Sequence, residues 1–153
     1  MRRHLTSDPE QQKRSTYAGF FQLPWLPEAA LRAGDWRAAE QAMRGSSRPG
    51  TFSDDDMAEY RRAWARPGAM TAMLNWYRAL AQRPIADWPS PRVVVPTTII
   101  WGLKDFALRG VMATESAAEC DDVELIELPD NTHWVHHEAP ELVNETLITR
   151  FQI

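Results

Sequence analysis

Two residues late in the chain are of the right type and spacing for acid–base chemistry. Asp105 closes the stretch Trp101-Gly102-Leu103-Lys104-Asp105, and His133 stands in Asn131-Thr132-His133-Trp134. Each follows an apolar, strand-like run, Thr97 to Trp101 and Val123 to Leu128. In open α/β sheets the loops past the carboxyl ends of the strands are where active sites are built. Neighbouring parallel strands would bring the two loops together although 28 positions separate the residues. A carboxylate bound to one imidazole nitrogen fixes the tautomer and stabilises the imidazolium, which leaves the other nitrogen to take a proton. Taken singly, Asp105 could cap the following helix and His133 could be a turn residue. At matching strand ends the two together point to a relay.

The elements that must position this pair follow from local signals. Thr97-Thr98-Ile99-Ile100-Trp101, bounded by Pro96 and Gly102, is β-branched and aromatic and reads as a strand. Gly110 to Cys120 reads as a helix, Val123 to Leu128 as a second strand, and Glu138 to Phe151, with Pro140 in its first turn, as an amphipathic helix. Strand–helix–strand–helix implies a parallel sheet. Upstream, residues 8 to 88 read as helical. Asp8-Pro9 starts a helix running to about Gly19, a segment from Pro27 continues to Gly34, and Asp35 caps a short helix holding Trp36, Ala39 and Met43. Ser53 with Asp56 makes a capping-box start for a helix from Asp54 to about Ala65, and Ala69 to Ala81 forms the next. Four prolines between Arg83 and Pro96 end the helical half. The chain therefore divides into a helical region, 1–88, and a sheet-bearing region, 89–153.

Composition narrows the function classes. With 153 residues, 44% hydrophobic and 25% charged, the chain has the size and balance of one globular domain. A net charge of −4 argues against a nucleic-acid surface. Seven tryptophans suggest a structure that walls something with flat apolar rings. Arg2 and Arg3 are followed by Ser7-Asp8-Pro9-Glu10 rather than an apolar stretch, so no secretory signal is expected. No run approaches the roughly 18 apolar residues of a membrane span. The single cysteine, Cys120, excludes an internal disulfide, and a cytoplasmic setting is expected. His133, His136, His137 and Glu138 invite a metal reading, but zinc needs three or four converging ligands and no other Cys–His cluster exists, so no metal or other cofactor is expected.

From about Arg14 to Phe151 the chain resembles the α/β-hydrolase superfamily, and within it the epoxide hydrolase branch. Tyr17-Ala18-Gly19-Phe20-Phe21-Gln22-Leu23-Pro24 is similar to that branch's first cap segment, and Asn75-Trp76-Tyr77-Arg78 to its second signature. The resemblance implies a helical cap ahead of the last strands of a parallel core. It further implies that the hydroxyls of Tyr17 and Tyr77 bind and protonate an epoxide oxygen, that Asp105 is the relay acid and that His133 activates water. Phe21, Trp76 and Trp134 would line the substrate site. A phenol stays protonated at neutral pH and so can donate to the charge that develops on that oxygen.

The branch's aspartate nucleophile and oxyanion hole lie upstream of the cap, and neither is expected within these residues. No Gly-x-Ser-x-Gly elbow replaces them. Gly34-Asp35-Trp36 follows a helical segment instead of a strand and reads as a helix cap. The expectation is thus the C-terminal portion of an epoxide hydrolase-like enzyme, inactive alone. It would act on a small apolar epoxide when complemented by an N-terminal half, with a homodimer as the other way to cover its open surfaces. A dehalogenase-like fragment is the nearest alternative, kept open by Trp76. A non-catalytic split subunit or relic is the third.

Overall fold

The computed structural model describes residues 7–82 and 92–152. Among the described residues the helices α1 (Pro9–Arg14), α2 (Thr16–Phe20), α3 (Leu26–Arg32), α4 (Arg37–Gly45), α5 (Asp54–Trp64) and α6 (Ala69–Gln82) come first. Strand β1 (Thr97–Gly102), helix α7 (Val111–Ala118), strand β2 (Val123–Leu128) and helices α8 (Val135–Glu138) and α9 (Pro140–Phe151) follow. The boundary expected near residue 88 lies outside the described residues.

Local capping explains several elements. Asp8 accepts from the N–H groups of Glu10 and Gln11 and starts α1. Ser53 and Asp56 form the expected capping box on α5, where each side chain satisfies a backbone N–H of the other's turn. Three expectations are corrected. The first helix stops at Arg14 and restarts at Thr16, with Ser15 between them out of the helical region at φ −92° and ψ 9°. The last helix begins at Pro140 rather than Glu138, since the residue before a proline is driven out of the helical region; Ala139 has φ −141° and ψ 56°. Asp35 is not a helix cap. Gly34, Asp35 and Trp36 all have positive φ, and Trp36 is the residue that precedes α4.

That left-handed run costs about 1–2 kcal/mol for each of the two non-glycine residues. It delivers the Trp36 indole to the core, where it is 5% exposed and 5.9 Å from the Trp64 ring. Burying an indole of about 150–250 Å² is worth about 4–6 kcal/mol, so burial outweighs the strain. Ala39, Met43, Phe52, Met57, Trp64, Met70 and Leu74 complete this helical core. Trp134, from the loop after β2, packs against it and joins the two halves of the chain.

Among the described residues the sheet is two-stranded and parallel, in register from Thr97 opposite Val123 to Gly102 opposite Leu128. Helix α7 makes the crossover, with Met112 and Ala113 fully buried. Gly102 ends β1 where the backbone of the following loop presses close. A Cβ there would stand 2.0 Å from the carbonyl oxygen of Thr132 and 2.5 Å from that of Asn131. Only glycine lets the loop before His133 approach the strand before Asp105 so nearly. Gly102→Ala should therefore destabilise the chain by about 3 kcal/mol in denaturant unfolding, the upper range for overpacking. A loss under about 0.5 kcal/mol, the size of an ordinary surface substitution, would show that the loops separate freely.

Candidate active site

Past their last paired residues the two strands stay zipped. The N–H of Leu103 donates to the carbonyl of Leu128 at 3.0 Å, and that of Lys104 to the carbonyl of Asn131 at 2.9 Å. This places Asp105 and His133 face to face. His133 Nδ1 donates to Asp105 Oδ2 at 2.8 Å. Asp105 Oδ1 accepts from the N–H groups of Ala107, at 2.7 Å, and Leu108, at 3.0 Å. The carboxylate thus shapes its own turn with one oxygen and holds the imidazole with the other. It is not the cap of α7, which Gly110 precedes.

Asp105 is 7% exposed, whereas the His133 side chain is 42% exposed. Burial alone would raise the Asp105 pKa, but the bond from His133, the Leu108 and Ala107 amides and the charge of His133 outweigh it and lower the value. For His133 the bond to Asp105 leads, opposed by burial and aided by the Asp105 charge, and its pKa rises above 6.5. With Nδ1 committed, Nε2 is the nitrogen left for proton transfer.

The sign of the pH dependence follows. The Asp105 contribution to stability is present above its unfolded value of 3.8 and is lost as pH falls through its depressed folded value. The His133 contribution is full below 6.5 and is lost as pH rises through its raised folded value. The pair therefore stabilises the fold most fully between 3.8 and 6.5. Thermal unfolding of wild type against His133→Gln should show its largest gap in that window. A gap that is constant up to alkaline pH would contradict the pairing.

Tyr17 on α2, Tyr77 on α6 and Phe21 just after α2 form one aromatic group. The Tyr17 and Tyr77 ring centroids are 5.7 Å apart, and Phe21 lies edge-on to both, 5.6 Å from Tyr17 and 4.9 Å from Tyr77. The Tyr17 hydroxyl is pushed up to about 12 by burial first, then by the Tyr77 hydroxyl, with a smaller contribution from the negative charge of Asp105. Arg78 fixes the spacing of the two tyrosine-bearing helices. It forks onto Glu28 at 2.8 and 3.1 Å and also donates to the carbonyls of Phe21, at 3.1 Å, and Leu23, at 2.8 Å. From sequence alone Arg78 is only the last residue of the second signature, with no role of its own.

Beside Tyr77 opens an apolar cleft of about 620 Å³, walled by Phe21, Met43, Trp64, Met70, Tyr77 and Trp134 among others. The Trp134 indole N–H donates to Ser46 Oγ at 3.0 Å, which locks that wall in place. Trp76 also borders the cleft, but at 78% exposure it stands at the rim.

Glu138, read from sequence as a possible metal ligand and as the start of the last helix, serves as a tie between loops. Its carboxylate accepts from the Thr132 N–H at 2.7 Å, the Thr132 hydroxyl at 2.6 Å and the Arg48 N–H at 2.9 Å, fastening the His133 loop to the turn after α4. His137 Nε2 shares a hydrogen bond with the Tyr60 hydroxyl at 2.8 Å. Among the described residues no three His, Cys, Asp or Glu side chains converge as a metal site requires. Nor is any described helix long and apolar enough to cross a membrane.

Comparison with known proteins places this geometry. The AB hydrolase superfamily protein YfhM of Bacillus subtilis (strain 168) is 41% identical over 140 residues, covering 92% of this chain and 49% of that protein. Epoxide hydrolase 2 of Caenorhabditis elegans is 32% identical over 139 residues, covering 88% of this chain and 39% of that protein. The chain thus spans about half the length, or less, of the curated relatives it matches. A crystal structure of an epoxide hydrolase from Bacillus megaterium in complex with an inhibitor superposes with a TM-score of 0.77 at 22% identity, over 99% of this chain and 56% of that one. That likeness shows the fold. The alpha/beta hydrolase family matches over residues 6–146, nearly the whole of the helical and sheet regions. With its parallel strands, crossover and strand-end loops in place, the chain belongs to the alpha/beta hydrolase family.

Proposed function

We propose that this chain carries the oxygen-binding tyrosines and the acid–base pair of an epoxide hydrolase, and that the nucleophile is an aspartate supplied by an N-terminal half. The observation that carries the proposal is the 2.8 Å bond from His133 to Asp105, whose charge is felt by the Tyr17 hydroxyl of the aromatic group. In the proposed cycle the aspartate attacks an epoxide carbon and the C–O bond breaks, while Tyr17 and Tyr77 donate to the oxygen released. His133 Nε2 then takes a proton from water and the hydroxide attacks the ester carbonyl. On collapse the carboxylic proton passes to the leaving alkoxide and the imidazolium proton replaces the one given to the ring oxygen. The diol leaves with the aspartate, His133 and the tyrosines restored. Asp105 stabilises the imidazolium formed in that step. Because the base must be neutral, hydrolysis of the ester rises as pH passes through the raised pKa of His133.

The apolar cleft supports a small apolar epoxide as substrate. Surfaces left open support a complementing half: Val94, Val95, Ile148 and Phe151 are exposed. A dehalogenase remains the rival because Trp76 offers an indole donor at the rim of the cleft.

The test is an assay of aryl epoxide and of haloalkane, with the 153-residue chain alone and complemented by the N-terminal half of a related hydrolase. Diol from the complemented enzyme only is expected. Ordinary turnover by the chain alone would overturn the division of labour, and halide release without diol would replace the epoxide reading by the rival.

A further inference from the structure

Gln11 is wholly buried, at 0% exposure, in a helix of six residues. A carboxamide taken out of water is tolerated only when its donors and acceptor are satisfied. Its partners here lie almost a hundred positions away. Nε2 donates to the Ala107 carbonyl at 2.7 Å, and Oε1 accepts from the Arg109 N–H at 3.1 Å. These two groups flank Leu108, within the turn whose amides hold Asp105 Oδ1. Nε2 also donates to Ser15 Oγ at 3.0 Å, where α1 ends and the helix of Tyr17 begins. Arg14 adds a bond from Nη1 to the Asp105 carbonyl at 2.8 Å, and Arg109 returns an ion pair to Asp8 at the start of α1.

We propose that Gln11 is a positioning residue that sets the spacing between the acid turn of Asp105 and the Tyr17 helix, with Arg14 as its second strut. One planar side chain touches both, so it fixes where the oxygen-binding hydroxyl stands relative to the relay. Simple packing does not account for this arrangement, because a hydrocarbon of the same volume would fill the space while leaving the Ala107 carbonyl and the Arg109 amide unpaired. The assignment to catalysis rests on the epoxide hydrolase reading; the brace itself does not.

The test uses the full chain as wild type, Gln11→Met, which keeps the volume, and Gln11→Ala. NMR follows the His133 ring nitrogens and the Tyr17 phenol carbon against pH. In Gln11→Met both titrations should move back, His133 down toward 6.5 and Tyr17 from about 12 toward 10.0. Unchanged titrations in a folded variant would overturn the brace. If neither variant folds, hydrogen exchange of wild type decides: the Arg109 amide should exchange slowly, and rapid exchange would overturn the brace. In the complemented enzyme, Gln11→Met should lower kcat about 10²-fold with KM little changed, as for misplacement of about 1 Å. A complemented wild type with no turnover but with the shifts present would sink the epoxide reading alone. Absent shifts would sink the brace whether or not diol forms.

Discussion

Asp105→Asn lowers the turnover of the complemented hydrolase about 10⁴-fold, the loss expected when a relay acid loses its charge but keeps its shape. The asparagine carbonyl can still accept from the Ala107 and Leu108 amides, so the turn and the fold survive. What disappears is the negative charge opposite His133 Nδ1, at 2.8 Å in the wild type. Two effects then combine. The imidazolium formed when water is deprotonated loses its stabilising partner, and the amide can present an N–H that favours the wrong tautomer. Without Asp105 the His133 titration falls back toward 6.5, because the bond and charge that raised it are gone. Ring opening does not need the relay, so the alkyl-enzyme ester should accumulate and appear by mass spectrometry as an adduct of substrate mass on the nucleophile-bearing half. A loss below about tenfold, comparable to one weak hydrogen bond, would remove Asp105 from the mechanism.

Tyr17→Phe with Tyr77→Phe should give the second largest effect and a different signature. Removing one preorganised donor to a developing oxyanion costs about 10²–10³ in rate. Either single substitution should fall in that range, and the double variant should form no measurable diol. The block comes before the covalent step, so no adduct should accumulate, in contrast to Asp105→Asn. Tyr17 is suited to donating because its pKa is pushed up to about 12, so the hydroxyl keeps its proton at any working pH. Phenylalanine preserves the ring contacts with Phe21, so stability should change little. Adduct formation by the double variant would show that the tyrosines do not hold the epoxide oxygen.

The contrast between Asp105 and Gln11 shows what could be read in advance. Asp105 and His133 each follow a β-branched strand, and the loop after a parallel strand has one place to go. Pairing was therefore legible from order and spacing. The capping box at Ser53 and Asp56 was legible for a more local reason, since its partners lie three residues apart. Gln11 was not. In sequence it is one of two adjacent glutamines in a polar run, and nothing local distinguishes a carboxamide in water from one buried against Ala107 and Arg109. Glu138 was equally opaque: beside two histidines it resembled a ligand, yet in the fold its carboxylate holds Thr132 and Arg48.

Sequence by itself determined most of the elements, the parallel order of the strands, and the place of Asp105 and His133 at their ends, because propensity, capping and periodicity act over a few residues. Tertiary structure alone decided the left-handed run that buries Trp36. It alone decided the close approach at Gly102, and the struts from Gln11, Arg78 and Glu138 that hold the site in register. These depend on contacts between residues many tens of positions apart, whose energies exist only once burial has removed water from both partners.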